Sequence, residues 1–342
     1  MRNRIRLLVL AALISPSAAL AGSGQRTGTN GAAELLIPVG TRDIAMAGST
    51  LAAASGIDAL FWNPAGSAHV LRDVTLYASH MSYFADIGVD CGAVSVNIES
   101  FGVVSLDIKV LSIGDIPVTT AQYPDGTGNT FRPQFFTMGL TYARQLTDRI
   151  SVGFTGTLIT ERMAEVSASG VAFNGGLIYS DLGGLPGLAF GVVVKNIGPQ
   201  MKFNGPGLNV QAVAGGLDRG TMLYGIDAAG FELPSTFELG FAYRTNIIED
   251  NKVTIASSFE NNNFADDEYK FGLEYGFRDL LFLRAGYDYQ PPKSADRENI
   301  FGATFGAGVH MNVGTVDVTF DYAFRSTKFF DNNHVFSVIL GF

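Results

Sequence analysis

The sequence predicts an all-β protein: a transmembrane antiparallel β-barrel of about fourteen strands with an N-terminal hatch inside the lumen. Three observations predict it. From about residue 74 onward, apolar residues alternate with small, polar or charged ones. These segments run roughly 9–12 residues, the length a tilted strand needs to cross a bilayer. Their connections tend to alternate between short and long, as they do in barrels with tight periplasmic turns and longer outer loops. The third observation is Phe336-Ser337-Val338-Ile339-Leu340-Gly341-Phe342, which places Phe336, Val338, Leu340 and Phe342 on one face. Such an edge invites aggregation in a soluble domain, whereas in a barrel the last strand pairs with the first and shows that face to lipid.

Residues 1–21 read as a secretory leader. Arg2, Arg4 and Arg6 precede the apolar run from Leu7 to Ile14, and Ala19-Leu20-Ala21 supplies a cleavage site. Residues 22–72 read as a lead and hatch. The first few are small and polar, and residues 31–67 are rich in Ala and Gly with no strand alternation, which suggests short helical turns. About fourteen strands enclose a lumen too wide for their own side chains to fill, so this segment is expected to fold inside it.

Residues 73–342 form the barrel. Strands are expected near 73–83, 88–98, 101–112, 134–146, 149–161, 170–181, 187–197, 234–245, 252–260, 267–277, 280–290, 299–309, 314–324 and 334–342. The pattern is plainest where Phe136, Met138, Leu140 and Tyr142 interleave with Thr137, Gly139, Thr141 and Ala143, and where Tyr269, Phe271, Leu273 and Tyr275 interleave with Lys270, Gly272 and Glu274. Tyr and Phe near the strand ends suit interfacial girdles. An even count returns both chain ends to the periplasmic side. The connection at residues 84–87 is short where the alternation calls for a long one.

Composition agrees. Charged residues are 16% of the chain and mean hydropathy is +0.21, which is apolar for an exported protein unless its strands meet lipid. The net charge of −9 argues against a nucleic-acid partner. Cys91 is alone and reads as a small packed residue. His69, His80, His310 and His334 show no metal-ligand spacing, and no Gly-x-Ser-x-Gly elbow is present. The expectation is therefore no enzyme, no metal and no cofactor.

Two sets of residues are candidates for function. The inward faces carry charges of both signs, among them Glu238, Arg244, Lys270, Glu274, Arg284, Asp317 and Asp321. Neither sign dominates, which argues against a strongly ion-selective pore. Buried charges need partners, so Arg42 and Asp43 of the hatch are expected to pair with them. The two long outer loops are unusually apolar. One carries Ile116, Tyr123 and Phe131; the other carries Met201, Phe203, Met222, Leu223, Tyr224 and Phe231. Either the loops cap one another, or they present an apolar surface that captures a ligand or a protein.

Short segments spread along the chain carry a family likeness. Ile37-Pro38-Val39-Gly40-Thr41-Arg42, Met46-Ala47-Gly48-Ser49, Phe61-Trp62-Asn63-Pro64-Ala65-Gly66, Asn196-Ile197-Gly198, Arg284-Ala285-Gly286-Tyr287 and Asp321-Tyr322-Ala323-Phe324 together resemble the PorV/PorQ family of outer-membrane proteins. That family is similar to the FadL-type transporters, fourteen-stranded barrels whose hatch carries an Asn-Pro-Ala motif, matched here by Asn63-Pro64-Ala65. The resemblance implies a hatch or gating role for Arg42, Asp43, Trp62, Asn63, Pro64 and Ala65. The residues themselves allow a purely structural role: Asn63 can cap a short helix, and Pro64 suits its first position.

The first functional expectation is that the loops bind or hand over exported protein cargo, as an accessory of type IX-like secretion. The alternative is uptake or export of hydrophobic small molecules, and a second alternative is a permanently plugged structural barrel. Expected partners are outer-membrane lipid, the barrel assembly machinery, which would read Phe336 and Phe342, and either cargo or a hydrophobic small molecule. Deleting Phe342 should impair membrane insertion, followed by outer-membrane fractionation, more than it alters binding.

Overall fold

The computed structural model describes residues 29–70, 72–213, 220–291 and 299–342. The leader expected at residues 1–21 lies outside the described residues. The strands are β1 Val74–Ser82, β2 Gly88–Ile98, β3 Gly102–Ser112, β4 Ile116–Pro117, β5 Thr130–Phe131, β6 Gln134–Thr147, β7 Ile150–Met163, β8 Val166–Tyr179, β9 Leu188–Ile197, β10 Asn209–Ala212, β11 Met222–Gly225, β12 Thr236–Ile248, β13 Asn251–Asn262, β14 Glu268–Phe277, β15 Leu281–Tyr289, β16 Phe301–Val313, β17 Val316–Thr327 and β18 Asn333–Gly341.

Fourteen of them close one antiparallel barrel; β4–β5 and β10–β11 are separate two-stranded hairpins in the long loops. Closure joins β1 to β18 from Thr75 opposite Gly341 to Ser82 opposite His334. Val74 and Phe342 extend that seam, with the Phe342 N–H donating to the Val74 carbonyl at 2.8 Å. Each of the fourteen expected strands has its counterpart. The main correction is at β7 and β8, where residues 162–169 do not form an outer loop. Both strands run on to a tight turn with Ala164 at φ 48°, and Ser167 is further bridged to Asn204.

The faces are inverted relative to a soluble protein. Leu140, Phe154, Leu158, Leu283, Phe305 and Phe336 are exposed, while Ser95, Ser105, Thr141, Thr155 and Thr304 are buried. Inward hydroxyls pair across strands, Ser95 with Ser105 and Thr141 with Thr155, each at 2.7 Å. An apolar exterior around a hydrogen-bonded interior is the arrangement a bilayer requires. Aromatics form contacts near the strand ends: Phe101 and Tyr142 lie 5.1 Å apart, and the Tyr142 hydroxyl donates to the Phe101 carbonyl. No helix among the described residues is long and apolar enough to cross a membrane.

Residues 31–70 fill the lumen as a plug of short turns: Ala33–Leu36, Thr41–Ala45, Ser49–Ala52, Ala59–Trp62 and Pro64–His69. Ala45, Met46, Leu51, Ala59 and Ala65 are fully buried. The small residues that break strand alternation in the sequence are the ones that let this chain coil within the barrel.

Candidate functional site

The plug sits against a belt of inward-facing glycines. Gly153 and Gly176 are cross-strand partners on β7 and β8, Gly191 and Gly240 on β9 and β12, and Gly272 and Gly286 on β14 and β15. A Cβ at Gly153 would lie 2.3 Å from the Pro64 carbonyl carbon, at Gly176 2.0 Å from Asn63 Oδ1, and at Gly240 2.9 Å from Leu51 Cβ. At Gly286 it would lie 2.4 Å from the Met46 carbonyl carbon, and at Gly306 2.4 Å from Ala45 Cβ. Close backbone approach is the reason for glycine here. Sequence reading noted these residues only as a small face, because their pairing appears only once the register is known.

Asn63 caps the Pro64–His69 turn, its Oδ1 accepting from the Ala65 N–H at 3.2 Å, with Pro64 in the first turn. Its Nδ2 donates to the Leu51 carbonyl at 3.0 Å and to the Leu177 carbonyl of β8 at 3.3 Å. Asn63-Pro64-Ala65 therefore ties two parts of the plug to the wall. Trp62 is anchored by its Nε1–H donating to the Val39 carbonyl at 2.7 Å, and its ring covers Gly40 and Gly48, both at positive φ.

An ion network joins plug to wall. Arg42 donates through Nε and Nη2 to the two Glu274 oxygens, both at 2.8 Å. Arg284 donates through Nε to the same carboxylate at 2.8 Å and pairs with Asp321. Asp43 is completely buried, 4.0 Å from Arg42 Nη1, and burial pushes its carboxyl above the usual carboxylate range. Nearby, Lys270 pairs with Glu260 and Glu268, and Lys195 with Glu238 at 2.9 Å. Two members of the expected lumen set stand apart, at the short-turn end of the barrel. Arg244 is exposed near the end of β12, and Asp317 pairs with Arg72.

In a second plug anchor, Lys109 was legible as an inward charge on its strand, whereas Glu34 and Glu161 carried no sequence signal. Glu161 on β7 accepts from the Ala32 N–H at 3.0 Å, and Lys109 on β3 donates to the carbonyls of Glu34 at 2.6 Å and Ile37 at 3.2 Å. Burial, helped by the neighbouring Glu161 carboxylate, pushes Glu34 from 4.5 to about 8. Glu34 thus holds its proton more tightly in the docked plug than in the unfolded chain. Docking is therefore expected to be strongest at acidic pH and to weaken as pH rises from the ordinary Glu value through about 8. A spin label at Ala33 should gain mobility between pH 6 and pH 9, and Glu34→Gln should flatten that response; an unchanged spectrum in the parent protein counts against it.

Above the plug, on the loop side, lies a chamber of about 400 Å³. Its floor is apolar plug surface from Leu35, Leu36, Ile37, Val39, Leu60 and Phe61, and its wall is polar, from Thr155, Thr157, Asn174, Glu238 and Lys270 among others. Residues 201–203 and 231–233 of the long loop pack against the start of the plug. Met201 and Phe231 exchange backbone hydrogen bonds at 2.9 and 2.8 Å, and the Phe203 and Phe231 rings lie 5.3 Å apart. Met201 packs with Ala32, Ala168 and Ala172, and the Gly31 N–H donates to the Glu232 carbonyl. The candidate loop residues therefore divide: Met201, Phe203 and Phe231 face inward to the plug, whereas Met222, Leu223 and Tyr224 project on β10–β11. In the other loop Ile116 and Tyr123 are exposed and Phe131 is half-buried.

No family model matches the chain, and no curated protein matches it. Solved structures do. The CymD monoaromatic hydrocarbon channel aligns with a TM-score of 0.56 at 14% identity, covering 89% of this chain and 97% of that one. The P. putida toluene transporter TodX gives 0.55 at 13%, covering 89% and 99%. A Pseudomonas aeruginosa FadL homologue gives 0.50 at 12%, covering 88% and 97%. At such identity the likeness is one of fold: a closed fourteen-stranded barrel shared with outer-membrane channels of FadL type.

These neighbours overturn the first functional expectation. The PorV/PorQ likeness finds no counterpart among them; CymD and TodX are a monoaromatic hydrocarbon channel and a toluene transporter, not handlers of protein cargo. The physical reason lies partly in the loops. The sequence shows an apolar segment, but Met201 and Phe231 spend their apolar surface on the plug and on each other rather than on an outer docking face.

Proposed function

We propose that this chain is an outer-membrane channel that passes hydrophobic small molecules. The observation that carries the reading is the chamber: about 400 Å³ of space with an apolar floor, on a plug held by the wall. The fold neighbours TodX and CymD, a toluene transporter and a monoaromatic hydrocarbon channel, support it. Pockets that bind small ligands join apolar surface to placed polar groups; here the plug supplies the first and the barrel wall the second. In this reading the chamber holds the molecule first, and Asn63-Pro64-Ala65 lies below it on the way to the short-turn side. Passage then requires the plug to shift, which gives Arg42, Asp43 and Trp62 a gating role.

The test is uptake of a fluorescent hydrophobic probe into cells bearing the protein, compared with cells lacking it. Thr157→Trp places an indole in the chamber and should cut uptake about tenfold or more while the barrel still shows heat-modifiable mobility; filling a preformed pocket removes the ligand's contact surface. Equal uptake with and without the protein overturns the proposal.

A further inference from the structure

We infer that the chamber accepts hydrophobic molecules whose polar end is uncharged and discriminates against ionised ones. The inference rests on the transport reading above and names the chemical class for that site.

Four cations and four carboxylates line the chamber, among them Lys109, Lys195, Lys270 and Arg325 on the cationic side. Each cation is already engaged. Lys195 lies 2.9 Å from Glu238, and its ammonium is 5.3 Å from the centre of the Trp62 ring. Lys270 is held between Glu260 and Glu268. The Lys109 ammonium donates to two plug carbonyls, and Asp107 sits two residues before it on the same inward face. Arg325 stacks 3.4 Å from the centre of the Phe301 ring, with Asp288 at 3.9 Å.

Glu238, Lys270 and Asp288 are each at most 7% exposed, so these pairs are deep in the lumen. A carboxylate arriving at Lys195 or Lys270 would have to take the cation from its partner and leave that partner buried and unpaired, and at Lys109 it would displace the plug carbonyls that the ammonium holds. An arriving ammonium would do the same to a carboxylate. Breaking such a pair costs far more than the pair contributes. The plug contributes no charged side chain to the lining. What the wall offers without disturbing a pair is hydroxyl groups such as those of Thr137 and Thr157, which hydrogen-bond to an alcohol, ester or ketone. The balance of charge on this wall therefore acts as a filter on the ligand's ionisation state.

Trp62 is the sole tryptophan of the chain and lines the chamber, so its emission reports occupancy directly. The experiment titrates the full protein in lipid nanodiscs at pH 7 with 1-decanol, decanoate and decylammonium, against empty nanodiscs. The expected result is a saturable change with decanol at concentrations at least tenfold below those needed for either ion. Decanoate or decylammonium binding as tightly as decanol overturns the inference and leaves the transport reading standing. No saturable response to any of the three overturns the transport reading, and the inference falls with it. A second arm uses Glu238→Gln, which frees Lys195. This variant should improve decanoate relative to decanol about tenfold; an unchanged ratio also counts against the filter.

Discussion

Gly286→Leu is expected to unseat the plug while leaving the barrel closed. The first added carbon alone would lie 2.4 Å from the Met46 carbonyl carbon and 2.5 Å from the Ala47 nitrogen. Those are backbone atoms, and no rotamer change moves them aside. Thr304 Oγ1, at 2.7 Å from the same point, donates to the Ala45 carbonyl and is itself part of the seat. Overpacking of this kind costs about 1–3 kcal/mol, and a clash with backbone belongs at the upper end. Combined with Gly272→Leu on the partner strand, where a Cβ would meet Ser49 Oγ at 2.2 Å, the seat is lost on both strands.

The barrel should survive, because its ladder is continuous through all fourteen strands without help from the plug. The measurements are single-channel conductance and protease sensitivity of residues 31–70, both expected to rise sharply. Heat-modifiable mobility should persist. Gly156→Leu is the control, since Gly156 lies on the outward face of β7 between Phe154 and Leu158, with only the Phe173 ring nearby at 3.7 Å. A silent Gly272/Gly286 double variant with an intact, protected plug would refute the seating role of the belt.

The fold was legible because a bilayer enforces period two on every strand it touches. On β12, Phe237 and Phe241 face out while Glu238, Gly240 and Ala242 are buried, and that alternation is printed in the residues. Above the bilayer the constraint lapses. Residues 162–169 look like loop in sequence, yet they continue β7 and β8, because neighbouring strands and Asn204 supply the hydrogen bonds. Within the site, Arg42 and Glu274 could be anticipated as partners because buried opposite charges must find each other. Glu34 and Glu161 could not, since nothing in their local sequence tells that a wall and a plug meet there. The loop also misled: Met201 and Leu223 are equally apolar letters, but one is 1% and the other 68% exposed. Only topology separates a buried plug contact from a projecting hairpin. The cargo reading rested on that ambiguity and on short segment likenesses, and it fell when fold neighbours were found.

The charge network gives the second large effect, and it predicts an order rather than a single loss. Glu274 accepts three charge-assisted hydrogen bonds, two from Arg42 and one from Arg284. Glu274→Gln keeps the shape and removes the charge. Arg284 retains Asp321, but Arg42 is left with Asp43 at 4.0 Å, whose carboxyl burial disfavours as an anion. An uncompensated buried guanidinium costs about 3–5 kcal/mol. Arg42→Met, by contrast, removes the plug's own charge and leaves Glu274 still paired with Arg284. Its cost should be smaller, about 1–3 kcal/mol, mainly from hydrogen bonds lost by groups that remain buried. The double variant should be more stable than Glu274→Gln alone, because the stranded cation is gone. Hydrogen exchange over residues 41–53 in the folded barrel reads all three. If Arg42→Met loosens the plug more than Glu274→Gln, or the double variant is the least protected, then Glu274 is not the joint that holds plug to wall.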